Sequence, residues 1–326
     1  MVCDDWRPTA PIENIRLRAA LLAKTRQFFA ARNVLEVETP LLSASTVSDP
    51  HLHSFSTCYN GPGLPPESTL YLQTSPEAAM KRLLAAGSGS IYQICKAFRD
   101  GESGARHNPE FTMLEWYRVG FDHFTLMDEV EALVQLLLRI DSTFERLSYQ
   151  AVFERYLGLD PHRASLKDLV RCAVDAEISG GLNEADIGRD GWLDLLMSHL
   201  IEPHLGQSTP LFIYDYPSSQ AALAKVRPGE VPLAERFELY ITGVELANGY
   251  HELCDGTELQ RRFKYDSLQR KADGSCIPEI NHRLRAALEA GLPASAGVAL
   301  GVDRLLMLAT ESESIADVSN FTVAIA

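Results

Sequence analysis

The stretch that decides the fold reads Phe98-Arg99-Asp100-Gly101-Glu102 and, after four further residues, His107-Asn108-Pro109-Glu110-Phe111-Thr112-Met113-Leu114-Glu115-Trp116-Tyr117. It predicts two strands joined by a loop, because alternating residues precede Arg99 and follow Pro109. A strand places every second side chain on one face, so Phe111, Met113, Glu115 and Tyr117 are expected to point the same way. An arginine, a ring, a carboxylate and a phenol can then meet around a ligand that is anionic at one end and cationic at the other.

The bulk composition is that of an ordinary globular protein, with 326 residues, 46% hydrophobic and 23% charged. The formal net charge of −14, from 44 acidic and 30 basic residues, argues against extended contact with a nucleic-acid backbone. The first residues contain no apolar signal region, and no apolar run reaches the length of a membrane span. We therefore expect a cytoplasmic protein that does not bind a membrane.

The cysteines and histidines show no spacing typical of a metal site. The six cysteines form no CxxC pair, so free buried thiols in a reducing compartment are predicted. His51 and His53 are the one histidine pair at a suggestive spacing, and a loop or packing role is expected for them. Ser75 has no base beside it in sequence, which gives no support to a serine hydrolase.

Periodicity predicts the remaining elements. Helices are expected at about 11–32, 77–86, 125–140, 257–272 and 281–290, with a mostly helical region at 148–205 and a last helix beginning at Asp303. Strands are expected at 34–38, 70–74, 91–99, 211–216 and 298–302, with a hairpin of 236–241 and 244–247 around Thr242-Gly243 and a loop at 43–66. We predict an α+β fold with an antiparallel sheet flanked by helices, in a single domain over 1–326 with a helical insertion at about 141–210.

Three segments resemble the motifs of one family. The opening stretch resembles motif 2 of the class II aminoacyl-tRNA synthetases and is most similar to the lysyl-tRNA synthetase version. Residues 11–40, a helix and a strand ending at Thr39-Pro40, resemble motif 1, and Gly297 to Arg304 resembles motif 3. The resemblance covers about Ile12 to Phe321 and implies the class II catalytic fold, a homodimer formed through motif 1, and the use of ATP and Mg²⁺.

The resemblance also implies where ATP binds. Arg99 and Arg304 would be the catalytic residues, because guanidinium groups fork onto phosphate oxygens and stabilise charge that grows during in-line attack. Phe111 would stack on the adenine. Each has an ordinary alternative, which is a surface ion pair for the arginines and plain core for the ring. The implied ATP contacts are Arg99, Glu102, His107, Asn108, Phe111, Glu238, Gly301 and Arg304.

The resemblance places metal and amino-acid substrate on the remaining motifs. Glu238 and Glu245 flank the predicted hairpin turn, and the resemblance favours them as ligands of one Mg²⁺ over the ordinary alternative, two solvated acids at a strand edge. A lysine-like substrate carries two ammonium groups that need anionic or acceptor partners once desolvated. The implied substrate contacts are Ser75, Glu77, Tyr117, Glu245, Asn248, Tyr250, Glu252 and Ala299.

Three departures from lysyl-tRNA synthetases narrow the function. Motif 1 begins almost at the start of the chain, so no anticodon-binding domain and no anticodon recognition are expected. The family has an Arg-x-Glu sequence, whereas here two residues separate Arg99 from Glu102, so the acid comes one position later. Ala299 stands where lysyl-tRNA synthetases usually have glycine. These departures are similar to those of truncated paralogues that activate (R)-β-lysine, or lysine, with ATP and transfer it to a lysine of elongation factor P.

Alternative functions stay open at this point. One is a truncated lysyl-tRNA synthetase that charges tRNA, and another is a non-catalytic class II paralogue with a regulatory role. Amide synthesis on a small acid fits poorly, because Glu252 and Tyr117 suit a cation.

Overall fold

The computed structural model describes residues 6–184, 186–272 and 274–326. Its α-helices are α1 (Ile12–Ala30), α2 (Glu77–Ala85), α3 (His123–Leu138), α4 (Tyr149–Leu157), α5 (Leu166–Asp175), α6 (Gly188–Leu196), α7 (Gly256–Ala272), α8 (His282–Gly291) and α9 (Val302–Thr310). A π-helical turn, Met197–Ile201, continues α6. The helices therefore occupy the segments that their periodicity predicted, including the region 148–205.

The strands are β1 (Leu35–Glu36), β2 (Leu42–Ser43), β3 (Ser56–Tyr59), β4 (Ser68–Leu72), β5 (Ile91–Phe98), β6 (Glu110–Val119), β7 (Glu145–Ser148), β8 (Leu211–Pro217), β9 (Val226–Arg227), β10 (Leu233–Ile241), β11 (Val244–His251) and β12 (Ser295–Gly301). Two predictions were wrong in detail. The strand expected at 34–38 shrinks to the two residues of β1, and the expected loop at 43–66 contains β3. β1 is too short for alternation to mark it, and the side chains of β3 are mostly exposed, so they show no alternation of buried and exposed positions.

The described residues form two compact units. The first contains residues up to Phe121, Ala132–Ile140 and the residues from Cys254 onward. The second contains Asp122–Glu131 and Asp141–Leu253. The helical insertion expected at 141–210 lies in the second unit, and the single domain stays a prediction.

In the first unit, β6 lies between β5 and β12, and both neighbours are antiparallel to it. The register pairs Ile91 with Tyr117 and Phe98 with Glu110 on one side, and Ala299 with Glu115 on the other. β1 adds to β5 in parallel, and β2, β4 and β3 form a separate small antiparallel sheet. The predicted alternation therefore places Phe111, Met113, Glu115 and Tyr117 on one face of β6.

The opposite face of β6 packs on α1. Phe29 is fully buried, stacks on Tyr92 with ring centroids 4.4 Å apart, and meets the edge of Trp116 at 5.4 Å. Tyr92 and Trp116 are paired across β5 and β6, so both rings point to the same side. Aromatic packing on one face thus leaves the other face of β6 for the polar side chains.

In the second unit, β10 pairs with β11 as a hairpin and with β8 on its other side, all antiparallel, while β7 runs parallel to β8. The turn residues Thr242 and Gly243 both have positive φ, of 49° and 70°, which is the conformation of a two-residue hairpin turn. Helices α4, α5 and α6 contribute Phe153, Leu169 and Trp192 to one buried core. The predicted hairpin is confirmed.

Both units combine helices with a mostly antiparallel sheet, which confirms the α+β class. The two parallel pairs, β1 with β5 and β7 with β8, were not predicted, because alternation reports a strand and not the direction of its neighbour. Pro76 precedes α2 as its N-cap. Among the described residues, no helix combines the length and the apolarity that crossing a bilayer requires.

The cysteines in the described residues are free thiols, as predicted. The expectation that they are buried was wrong for Cys58, Cys254 and Cys276, which are exposed. Cys3 lies outside the described residues. Composition alone could not place these side chains, since burial depends on which strand or loop carries them.

Candidate active site

The β5–β6 hairpin holds Arg99 directly after its first strand. The backbone N–H of Arg99 donates to the carbonyl oxygen of Pro109 at 2.9 Å, which extends the pairing of the two strands by one step. Gly101 then takes a φ of 82°, a left-handed conformation that favours glycine, and the chain leaves the sheet. This backbone bond places the Arg99 side chain at the mouth of the loop.

The Arg99 guanidinium lies over the Phe111 ring, with its central carbon 5.0 Å from the ring centroid. Its Nη1 is 3.6 Å from Oε1 of Glu102, so the acid that stands one place late still reaches the arginine. Nε of Arg99 has no hydrogen-bond partner among the described residues. The arrangement presents a cation beside an aromatic face, which suits a ligand carrying both a phosphate and a planar base.

A second arginine is held at the start of α9. Nη2 of Arg304 donates to Nε2 of His107 at 2.6 Å, and this contact joins residues 197 positions apart. Partial burial, together with the positive charge of Arg304, lowers the pKa of His107 below its ordinary value. His107 is therefore a neutral acceptor at neutral pH, and it orients the guanidinium without adding charge.

Gly301 precedes α9 and pairs with Met113 in the sheet. Its φ is −75°, and a Cβ added there would approach the Arg304 side chain no closer than 3.7 Å. Nothing in the described chain therefore requires glycine at this position. The space beside Gly301 is open to a ligand.

Asn108, an implied ATP contact, is buried and hydrogen-bonded to backbone. Its Nδ2 donates to the carbonyl oxygen of Glu110 at 2.6 Å, and its Oδ1 accepts from the backbone N–H of Val323 at 3.1 Å. Both ends of the amide thus bind backbone. Asn108 ties the hairpin to the C-terminal segment.

The polar face of β6 carries a buried acid and a phenol. Tyr117 donates to Oε1 of Glu115 at 2.6 Å, and each side chain is only 3% exposed. Glu115 lies opposite Ala299 on β12 and opposite Gln93 on β5. Glu115 is the carboxylate that alternation placed beside Phe111 and Tyr117, although it was not among the substrate contacts that the resemblance implied.

Ser75 and Glu77 lie at the start of α2. Oε1 of Glu77 accepts from Nζ of Lys81 at 2.6 Å, and Lys81 is 2% exposed. A buried ammonium needs such a partner, so Glu77 already serves one cation of the chain. Glu77 and Lys81 are four residues apart on one helix, a spacing at which opposite charges commonly pair, so the sequence already indicates this contact.

In the second unit, Glu238 is buried at the centre of a hydrogen-bond network. Its Oε2 accepts from Tyr216 at 2.6 Å and from Tyr240 at 2.7 Å, and its Oε1 accepts from Asn248 at 2.8 Å and from Arg236. Burial raises the pKa of Tyr216 and of Tyr240 well above the ordinary value, and the Glu238 charge adds to the rise. Both phenols are therefore donors at neutral pH.

The other predicted contacts of the second unit lie on β11 or directly after it. Asn248 pairs with Glu238 across the hairpin, and Tyr250 pairs with Arg236. Glu252 is buried and joins Ala224 by an isolated bridge. Alternation puts Asn248, Tyr250 and Glu252 on the same face as Glu238, so the structure brings these predicted residues together.

Comparisons with known proteins agree with this geometry. The family model for class II tRNA synthetases (D, K and N) matches residues 4–324. A protein of Vibrio cholerae serotype O1 named elongation factor P–(R)-β-lysine ligase is 54% identical over 321 residues, which cover 98% of each chain. Proteins of the same name from Yersinia enterocolitica and Histophilus somni are 51% and 48% identical over 98% of this chain. The chain belongs to the class II tRNA synthetase family.

Proposed function

We propose that the protein activates (R)-β-lysine with ATP and transfers the β-lysyl group to the ε-amine of a lysine on elongation factor P. The observation that carries the proposal is the 54% identity over 98% of both chains to a ligase of that name, because it covers every motif described above. In the first step, a carboxylate oxygen of the amino acid attacks the α-phosphorus, and pyrophosphate leaves. In the second step, the amine attacks the acyl carbon, and AMP leaves.

The first unit supplies the groups for ATP. Arg99 would stabilise the charge that grows on the α-phosphate, with Phe111 beneath the adenine, and Arg304 would bind the γ-phosphate. The contacts of Arg99 with Phe111 and of Arg304 with His107 support these roles, since each guanidinium is held in one orientation. Glu102 and His107 would orient the two arginines, Asn108 would anchor the loop, and Gly301 would leave room for the nucleotide.

The donor chemistry of Glu238 and Glu245 suits Mg²⁺, which prefers carboxylate oxygens beside phosphates. Bound there, the ion would neutralise phosphate charge. Glu238 could bind it only in exchange for one of the donors that now occupy its two oxygens. Glu245 pairs with Tyr240 across the hairpin, and Tyr216 and Tyr240 hold the Glu238 carboxylate in place.

Buried acids and phenols would hold the diamine substrate. Glu252 and Tyr117 are proposed for the side-chain ammonium and Glu77 for the other amine, in competition with Lys81. Ser75, Asn248 and Tyr250 would complete the contacts. Glu115 joins them as a further candidate, because it is buried and already accepts from Tyr117.

We also propose a homodimer in the cytoplasm, where elongation factor P would be available. Leu35 lies on the segment that resembles motif 1, Leu41 and Leu42 directly follow that segment, and all three are exposed, as leucines of an interface are in a single chain.

The test is the intact mass of elongation factor P after incubation with the enzyme, ATP and each lysine isomer separately. We expect the mass of one β-lysyl group to be added, faster with (R)-β-lysine than with α-lysine, and no addition when the acceptor lysine is replaced by arginine. A charged tRNA with an unmodified factor would favour the tRNA-charging alternative. No pyrophosphate exchange with any isomer would favour a non-catalytic paralogue.

A further inference from the structure

Three potential metal ligands, none of them among the residues assigned above, converge in the second unit. They are His123 at the start of α3, Glu235 on β10 and His251 at the end of β11. One ligand atom from each lies within 4.8 Å of the other two, and Glu235 Oε2 is 2.6 Å from His251 Nδ1. Among the described residues, these three form the group of histidine, cysteine, aspartate or glutamate side chains whose ligand atoms lie close enough together to hold one metal ion.

A β-bulge brings the strand residues together. The pairing of β10 with β8 shifts between Ala234 and Phe237, so Glu235 and Arg236 together oppose the single residue Asp215. Asp215 itself has a φ of 60°. Such a bulge turns a side chain away from the direction that alternation would give it.

The cluster lies on the opposite face of the hairpin from the candidate active site. Glu238 pairs with Asn248, and Phe237 pairs with Gly249, so His251 points away from Asn248 and toward the Phe237 side. The proposed ATP, Mg²⁺ and lysine contacts therefore do not account for His123, Glu235 and His251.

His123 is the observation that points to a ligand. The side chain is about 2% exposed, and neither ring nitrogen has a hydrogen-bond partner among the described residues. Its Nε2 lies 3.8 Å from Oδ1 of Asp215, beyond hydrogen-bond reach, and that oxygen also lacks a hydrogen-bond partner. Buried polar groups are almost always satisfied, and each one left unsatisfied costs about 1–3 kcal/mol.

We propose that His123, Glu235 and His251 bind a divalent transition metal of the Zn²⁺ class. Two imidazoles and one carboxylate are a donor set that suits Zn²⁺, whereas Mg²⁺ prefers oxygen ligands alone. The ion takes the place of the hydrogen between Nδ1 of His251 and Oε2 of Glu235, and a neutral His251 then carries its one proton on Nε2. Asp215 then orients His123 from behind, as carboxylates commonly do for a metal-bound histidine.

The geometry needs only small movements. Ligand atoms around a tetrahedral ion with bonds of about 2.0–2.1 Å lie about 3.4 Å apart, so side-chain shifts of about 1 Å are enough. Burial lowers the pKa of His123 below its ordinary value, which leaves the imidazole in the neutral form that binds metal.

Two positively charged side chains, Arg227 and Lys225, lie near the cluster, and neither blocks a metal ion from the proposed ligand atoms. Arg227 holds Asp215 Oδ2 at 2.7 Å and lies 3.6 Å from Glu235 Oε1, while the ion would use Oε2. Nζ of Lys225 is 3.9 Å from that Oε2, and this side chain is half exposed and can turn into solvent.

The experiment compares metal binding by the whole chain and by four variants. Each protein is stripped with a chelator and titrated with Co²⁺ and then with Zn²⁺, in excess Mg²⁺ so that sites made of oxygen ligands are filled. The variants are His123→Gln, His251→Gln, Glu235→Gln and, as the control, His199→Gln. His199 is exposed in the same unit, and among the described residues its ring is hydrogen-bonded to Ser198 and Leu195.

The unaltered chain and His199→Gln should bind a single equivalent of Co²⁺, displaced by Zn²⁺, with d–d absorption and no sulfur-to-cobalt charge-transfer band. The three cluster variants should lose affinity by at least about 10-fold. Circular dichroism of the metal-free variants distinguishes a loss of metal affinity from misfolding. If His123→Gln does not fold, Glu235→Gln still tests the site, because it keeps the shape of the side chain and removes its charge. Substoichiometric binding by the unaltered chain, unchanged binding by folded cluster variants, or a charge-transfer band from cysteine would overturn the proposal.

Discussion

At the scale of the residue, the candidate active site depends on side chains held in one orientation before any ligand arrives. Phe111 and Glu102 hold Arg99, His107 holds Arg304, and Tyr117 holds Glu115. A charge that is already oriented stabilises a transition state without the cost of reorganisation. Single substitutions at these positions should therefore change catalysis more than folding.

Replacing Arg99 with alanine should abolish measurable adenylate formation. Loss of one preorganised charge stabiliser costs about 10²–10³-fold in kcat, and Arg99 would also bind the ground-state nucleotide. Arg106→Ala, an exposed arginine in the same loop, is the matched control and should retain activity. Pyrophosphate exchange measures both, and equal rates for the two variants would contradict the role of Arg99.

Ala299→Gly should shift the preference of the enzyme toward α-lysine. Ala299 lies opposite Glu115, so its methyl group stands beside a proposed substrate contact. One carbon in a binding site is worth about 1–3 kcal/mol of discrimination. Competition between the isomers measures the ratio of kcat/KM values, and the KM for ATP should stay constant. An unchanged isomer ratio would refute the contact.

The thiol of Cys95 should resist alkylation at neutral pH. Burial and the nearby Glu115 charge raise its pKa to about 12, so the reactive thiolate is present only at about 10⁻⁴ near pH 8 and grows tenfold with each unit of pH. Exposed Cys58, Cys254 and Cys276 should react first. Peptide mass mapping after timed labelling follows each site, and labelling of Cys95 at the rate of Cys58 would be the contrary result.

At the scale of the element, Asp303 determines where α9 begins relative to β6. Its Oδ2 accepts the backbone N–H of Thr112 at 2.6 Å, and its Oδ1 pairs with Arg18 of α1. The ordinary alternative for Arg304, an ion pair, would have joined it to its neighbour Asp303. The tie to Arg18 instead leaves Arg304 directed at His107.

Asp303→Ala should destabilise the protein by on the order of 3 kcal/mol, because it leaves the Arg18 cation and a backbone N–H of β6 without their acceptor. Glu289→Ala removes an acid from an exposed pair with Arg285 and should cost less than about 1 kcal/mol. The shift of the denaturation midpoint compares the two. Equal shifts would show that Asp303 does not anchor α9.

The alternation of apolar and polar residues predicted some strands more accurately than others. β5, β6, β10 and β11 were predicted to within a few residues, because each has one face in the core and a turn or loop at its end. The bulge at Glu235 and Arg236 was not predicted, since an extra residue changes the alternation without any marker of its own.

At the scale of the whole molecule, the net charge of −14 concerns binding to nucleic acid, and the exposed leucines near motif 1 concern binding to a second copy of the chain. An acidic chain has little to offer a nucleic-acid backbone, which agrees with a protein acceptor. Leu35 and Leu42 are each about half exposed, which costs free energy in water unless another surface covers them.

The double variant Leu35→Asp with Leu42→Asp should be monomeric, whereas the unaltered chain should have twice the mass of one chain. Charge at the centre of an apolar interface leaves a desolvated carboxylate without a partner. Val174→Asp, exposed on α5, is the control and should not change the mass. Light scattering after gel filtration gives the masses, and a monomeric unaltered chain would rule out the dimer.

The sequence was sufficient wherever the physics is local. The hairpin turn at Thr242-Gly243, the helix ends to within about two residues, and the shared face of Phe111, Glu115 and Tyr117 follow from backbone periods and turn conformations that act within a few residues. The family motifs are local in the same sense, so the candidate residues of each motif could be named from the chain alone.

Contacts between distant segments required the folded chain. Arg304 meets His107, Asp303 meets Arg18, and His123 meets His251 across separations of 197, 285 and more than a hundred residues. Such pairs depend on how helices pack and where strands bulge, and neither process leaves a periodic trace in the residues that finally touch. The acid Glu238 illustrates the difference: its spacing from Glu245 suggested a metal ligand, and packing surrounded it with four donors.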